Sequence, residues 1–247
     1  MSLKSEIQLN NLPKHIAVIM DGNGRWAKKK GNARIFGHRS AIKAVRDTTE
    51  AAAEIGVEFL TLYAFSTENW KRPKFEVDAL MQLLVDTIHK EVGTLMENDI
   101  RLNTIGNIRD LPDRCIKNLG EAMEMTSKNK RMTLSLALSY GARNDLKEAV
   151  RSIATQVSDG HIRPEDVSEE MIRQHLSTAQ LPDPELLIRS SGEFRISNFL
   201  LWEIAYAELY ITPVLWPDFR RENLYEAIID YQKRERRFGK ISEQISS

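Results

Sequence analysis

Short apolar runs alternate with longer amphipathic segments along almost the whole chain, and few folds accept that rhythm. HIAVIM at 15–20, VEFLTLYAF at 57–65, IRLNTIG at 100–106, RMTLSLALSYG at 131–141 and PELLIRSSG at 184–192 read as strands. Between them lie helical stretches at 37–56, 75–99, 110–128 and 142–160. Gly56 stops the first of these, and Val77, Leu80, Met81, Leu84, Ile88, Val92 and Leu95 mark the buried stripe of the second. A shorter polar helix is expected at 164–177, then a helix at 197–208, a short strand at 209–213 and a closing helix at 221–238. Repeated strand–helix units specify an α/β fold with a mostly parallel central sheet flanked by helices. No Gly/Ser or Pro-rich linker divides the chain, so residues 1–247 read as a single domain, with 1–12 and 240–247 as flexible tails.

The sheet decides where function would sit. Ligands of open α/β sheets bind beyond the carboxyl ends of the strands. Four loops follow strands there: DGNGRW, STENWKRP, SYGARND and RSSGEFRISNF. In the first, Gly22 and Gly24 permit close backbone approach, Arg25 offers a guanidinium, and Asp21 could hold Mg²⁺. The same residues also make a good strand-to-helix turn, and the stretch alone does not choose. The second loop mixes hydrogen-bonding groups with Phe65, Trp70 and Phe75, which suits a ligand with an ionic head and a greasy body. The fourth brings Arg189 and Arg195 together with three serines, as a diphosphate cradle would. Arg34 and His38 are expected to add cationic capacity; His38 could equally cap a helix.

Lys plus Arg equals Asp plus Glu at 35 each, so nothing suggests a nucleic-acid partner. One cysteine, Cys115, excludes an intrachain disulfide and fits a reducing compartment. The N-terminus lacks the apolar core of a signal peptide, and no window approaches the ~20 apolar residues that span a bilayer. A cytoplasmic protein, at most peripheral to a membrane, is expected. No H-E-x-x-H, C-x-x-C, G-x-S-x-G or Asp-Asp pair occurs.

Taken together, HIAVIMDGNGRWAKKKG, LTLYAFSTENWKRP, IRSSGEFRISNFLLWEIAYAELYITPVLWPDF and RERRFG resemble the cis-prenyltransferase, or isoprenyl transferase, family, closest to its bacterial undecaprenyl diphosphate synthases. The resemblance runs from about Pro13 to Gly239. It implies an enzyme that condenses isopentenyl diphosphate onto an allylic diphosphate such as farnesyl diphosphate, with Mg²⁺ as cofactor. It also implies a homodimer, a hydrophobic tunnel for the growing chain, and peripheral membrane contact for product release. By resemblance Asp21 is catalytic and binds Mg²⁺, while Gly22, Asn23, Gly24 and Arg25 wrap the allylic diphosphate beside Trp26, Arg34 and His38. Ser66, Thr67, Glu68, Trp70 and Arg72 line the substrate site, and Asn69 is assigned to proton removal. A neutral amide is a weak base, so the departing diphosphate or a water held by Asn69 stands as the alternative acceptor. Arg189, Arg195, Ile196 and Ser197 hold isopentenyl diphosphate, and Glu208 is the second Mg²⁺ ligand. Arg237–Gly239 reaches the partner's site. Family members often carry Gly where Ser191 stands, and many carry His or Gln where Phe194 stands. Phe194 cannot ligate a metal, so the metal set reads as Asp21 and Glu208 alone. Tunnel lining is expected from Ile42, Leu83, Ile88 and Ile100, with Met132 near the floor. A product of different length, or a non-catalytic subunit of a heteromeric enzyme, are the alternatives.

Overall fold

The structure is a computed structural model and describes residues 3–236. Among these residues the strands are β1 (His15–Ile19), β2 (Phe59–Ser66), β3 (Ile100–Ile105), β4 (Met132–Tyr140), β5 (Leu186–Arg189) and β6 (Glu208–Ile211). The helices are α1 (Asn23–Lys29), α2 (Arg34–Ile55), α3 (Lys74–Glu97), α4 (Asp113–Met125), α5 (Ala142–Ser158), α6 (Glu169–Gln174) and α7 (Arg221–Gln232).

All six strands form one sheet in the order β3-β4-β2-β1-β5-β6, and every neighbouring pair is parallel. The single-domain α/β reading therefore holds. Central β1 is buried at every residue, as a strand covered on both faces must be. Its side chains divide by alternation. Ile16 and Val18 join the larger core with Leu60, Leu62, Leu186 and Ile188, whereas Ala17 and Ile19 join the smaller core with Ala137, Leu187 and Phe199. The chain builds outward from β1 on one side, then crosses to build β5 and β6 on the other. The carboxyl ends of β1 and β5 therefore lie side by side where the order reverses, the usual place for a ligand.

Three expectations need correction. Residues 197–206 are not a helix but a run of turns and bends. Ser197, Asn198 and Leu200 have φ of 50°, 61° and 49°, and left-handed residues so close together cannot continue a right-handed helix. Residues 3–11 are no loose tail. Leu3–Glu6 and Leu9–Asn11 form 3₁₀ turns, Ile7 is buried, and the Leu3 N–H donates to Glu222 on α7. The polar helix at 164–177 is reduced to a 3₁₀ turn and α6.

Candidate active site

Asp21 lies two residues beyond β1, and its surroundings fix it from several sides. Its N–H donates to Ser190 Oγ at 2.8 Å, and its carbonyl accepts from that same hydroxyl at 2.7 Å and from the Trp216 N–H at 3.0 Å. Asp21 Oδ1 accepts the Gly22 N–H at 2.6 Å, and Oδ2 accepts Arg189 Nη2 at 2.8 Å, with Arg25 3.4 Å away. Burial pushes this carboxyl up, but Arg189, the Gly22 amide and Arg25 together outweigh burial and hold it below the ordinary range. Gly22 is required here for two reasons. Its φ is 102°, and a Cβ would stand 2.8 Å from Leu215 and 2.9 Å from Ser191.

Arg189, the last residue of β5, is 3% exposed. Besides Asp21 it reaches Ser197 Oγ at 2.8 Å and the Arg195 carbonyl, while its Nε has no partner. This leaves a buried guanidinium with an unmet donor beside a carboxylate, chemistry that suits an anion. Arg25 donates to the Ser191 carbonyl and hydroxyl and pairs with Glu193 at 2.8 Å; Glu193 also pairs with Arg195. Glu193 was not foreseen from sequence, although a carboxylate two residues from Arg195 was a visible signal.

A cavity of about 720 Å³ opens at this edge. Asp21, Gly22, Asn23 and Gly24 line it from the first loop, Ser66, Glu68, Asn69 and Arg72 from the second, and Arg189 and Ser197 from the fourth. Arg34 and His38 line it from the start of α2. Its far wall is apolar, with Ile42 and Val45 on α2, Leu83, Leu84 and Ile88 on α3, and Leu102, Leu134 and Leu136 on the sheet. Ile42, Leu83, Ile88 and Ile100, the residues expected to line a tunnel, all line this cavity, but Met132 does not. It starts β4 and is packed into the core.

Other expected site residues face elsewhere. Trp26 donates to Asp218 at 2.8 Å and lies under Lys30, and Trp70 donates to Ser139 and packs edge-on against Phe65. Both are scaffold contacts. Thr67, Arg195 and Ile196 are also outside the cavity wall, and Arg25 stands at its rim beside Asp21. Burial and the charges of Arg72 and Arg34 outweigh Glu76 at His38 and lower its pKa to about 4, which favours the neutral ring. Asn69 closes a capping box with Ser66, its Oδ1 accepting the Ser66 N–H at 3.2 Å. The amide oxygen is thus engaged, and Nδ2 is the group left to address a ligand. Glu76, unforeseen, ties Arg72 at 3.1 Å and Arg34 at 3.8 Å.

Glu208 does not join Asp21 within one chain. It opens β6 opposite Leu186, which lies opposite Ile16 at the amino end of β1. Five residues along the strand and two strands across put the two Cα positions roughly 19 Å apart. Glu208 instead accepts from Arg234 at 2.9 Å. Among the described residues no three His, Cys, Asp or Glu side chains cluster as a protein-only metal site. Arg237–Gly239 lies outside the described residues.

The prenyltransferase family model described as undecaprenyl diphosphate synthase matches residues 19–239. An isoprenyl transferase of Chlorobaculum tepidum is 55% identical over 96% of this chain and 89% of its own. The ditrans,polycis-undecaprenyl-diphosphate synthase of Vibrio vulnificus, specific for (2E,6E)-farnesyl diphosphate, is 49% identical over 98% and 97%. Among solved structures, lavandulyl diphosphate synthase from Lavandula x intermedia, in complex with dimethylallyl diphosphate, superposes with a TM-score of 0.91. It is 38% identical and covers 94% of this chain and all of its own.

Proposed function

This chain belongs to the undecaprenyl diphosphate synthase family of prenyltransferases, and we propose that it adds isopentenyl diphosphate repeatedly to farnesyl diphosphate to make undecaprenyl diphosphate. It is a transferase that elongates prenyl diphosphates in cis. The observation that carries the specific reading is one cavity with two chemistries: an ionic rim built on Asp21, Arg25 and Arg189, and an apolar wall between α2, α3 and the sheet.

Gly22, Asn23, Gly24 and Arg25 hold the allylic diphosphate at the mouth. Its hydrocarbon lies against Leu83, Leu84 and Ile88, where burial stabilises each added unit by about 25 cal/mol per Å². Arg189 and Ser197 hold isopentenyl diphosphate, with the free Arg189 Nε as an unmet donor. The arginines around the rim are already paired with Asp21, Glu76 and Glu193, so they cannot by themselves offset two diphosphates. That deficit fits Mg²⁺, which binds through one or two carboxylates plus substrate phosphates. Asp21 is the carboxylate placed to hold it. Bound there, Mg²⁺ would stabilise charge developing on the allylic diphosphate as its C–O bond breaks.

The terminal double bond of isopentenyl diphosphate forms the new C–C bond at the allylic carbon, and a proton leaves the adjacent carbon. Asn69 holds ligand through Nδ2 as a donor, because its oxygen caps the turn. The departing diphosphate takes the proton. A second copy of the chain docks along β6, an edge strand with exposed Leu209, and beside exposed Phe194. Among the described residues no helix is long and apolar enough to cross a membrane, which supports a cytoplasmic enzyme that meets the membrane from outside.

Purified protein with farnesyl diphosphate and radiolabelled isopentenyl diphosphate, with and without Mg²⁺, tests this reading. Mg²⁺-dependent product that chromatographs as eleven isoprene units is expected. No turnover in Mg²⁺ would sink the enzyme reading, and a shorter or longer product would correct the chain length alone.

A further inference from the structure

Asn198 uses every polar atom of its side chain, and its backbone carbonyl, to join three loops. It follows Ser197 in a left-handed conformation, with φ of 61°. Its carbonyl accepts the Ala142 N–H at 2.9 Å, and Oδ1 accepts the Arg143 N–H at 3.0 Å, both at the start of α5. Its Nδ2 donates to Glu68 Oε1 at 2.8 Å, in the loop after β2. Gly141 makes room for that amide. A Cβ there would stand 2.8 Å from Asn198 Nδ2 and 2.5 Å from Thr67 Oγ1. One residue back, Ser197 Oγ accepts from Arg189, which holds Asp21. A line of hydrogen bonds and one peptide link therefore runs from Glu68 through Asn198, Ser197 and Arg189 to Asp21.

We propose that Asn198 is a positioning residue for isopentenyl diphosphate: its bond to Glu68 fixes Ser197 and Arg189 where that substrate's diphosphate is held. The inference rests on the function proposed above. The effect falls mainly on one substrate, because the Asp21 backbone is braced separately by Ser190 and Trp216, and Arg25 by Ser191. Merely capping α5 would be a different role, and Asn198→Asp separates the two. Aspartate keeps an oxygen for the Arg143 N–H and suits a helix N-terminus at least as well. It replaces the donor to Glu68 with a second negative charge.

The test is steady-state kinetics with each diphosphate varied in turn, together with thermal melting. Asn198→Asp should raise KM for isopentenyl diphosphate roughly tenfold to a hundredfold, the worth of one hydrogen bond to a charged group. KM for farnesyl diphosphate and the melting temperature should stay near wild type. Gly141→Ala, which crowds the same amide, should show the same one-sided KM change, and it decides the matter if Asn198→Asp does not fold. Normal KM for isopentenyl diphosphate in the folded variant, with Asn198→Ala only melting lower, reduces Asn198 to a cap and overturns the proposal. Equal changes in both KM values also overturn it. A wild-type protein without turnover removes the proposed function itself, and this inference falls with it.

Discussion

At the scale of single residues, Asp21 and Arg189 show how little of the site depends on long-range accident. Each ends or follows a strand, the two strands pair in register, and the side chains meet at 2.8 Å. Asp21→Asn keeps an oxygen for the Gly22 N–H but removes the charge that would hold a cation. Turnover should fall by on the order of 10²–10³, with circular dichroism unchanged; near-normal activity would refute the assigned role. Arg189, Asp21 with the glycine after it, and the serines stand out in the sequence because they are residue types that phosphate chemistry uses. His38 was left open in the sequence between a cation and a helix cap; burial, which a sequence does not display, lowers its pKa and favours the neutral ring. His15 teaches the same lesson away from the site. It is 2% exposed, held between the Pro182 carbonyl and Thr61 Oγ1, and burial, only partly opposed by Pro182 and Glu185, lowers its pKa to about 4. The folded value lies below the unfolded 6.5, so this contribution is present above pH 6.5 and is lost as pH falls toward 4, by about 3 kcal/mol in full. Urea unfolding at several pH values should show it. His15→Gln should flatten the slope between pH 4.5 and 6 by close to one proton, about 1.4 kcal/mol per pH unit.

Among elements, α3 was the most readable. Its apolar stripe predicted the face that now runs from the core at Val77 to the cavity wall at Leu84 and Ile88. Leu84 is partly buried and faces the cavity from the middle of the helix. Leu84→Trp should fill that space and shorten the product by one or more isoprene units. Chromatography of labelled product would show this, with the first condensation still near wild-type rate. An unchanged product length would mean that the apolar wall does not measure the chain. The segment after Arg195 was the least readable. NFLLWEIAYAE carries helix-forming side chains, yet Phe199 and Leu200 are driven into the smaller core, and the backbone bends left-handed to deliver them. Local propensity lost to tertiary packing, and no spacing in the sequence announces that. Glu208 came from the family resemblance alone, and the parallel pairing of β6 with β5 sets it at the amino-terminal end of the sheet, away from Asp21 in the same chain.

For the whole molecule, the parallel sheet and its order were legible in kind but not in detail. Strand–helix repetition implies parallel strands, whereas which strands form the edges depends on crossovers of any length. β6 at an edge is the consequence that bears on assembly. Its Leu209 is 46% exposed, an unusual investment for an edge strand unless something covers it. Leu209→Lys should shift sedimentation from dimer toward monomer at micromolar protein, and a wild-type monomer would remove the homodimer from the proposal. The same topology also has a history in time. Asp21 leaves the ribosome early, but its partner Arg189 follows 168 residues later. At about 5–20 residues per second the nascent chain therefore waits roughly ten to thirty seconds with its central strand half paired. Throughout that interval one flank of β1 offers bare amides and carbonyls to any passing strand. Catalytic competence therefore cannot come before β5 is made, because β5 completes both the pairing of β1 and the contact of Asp21 with Arg189.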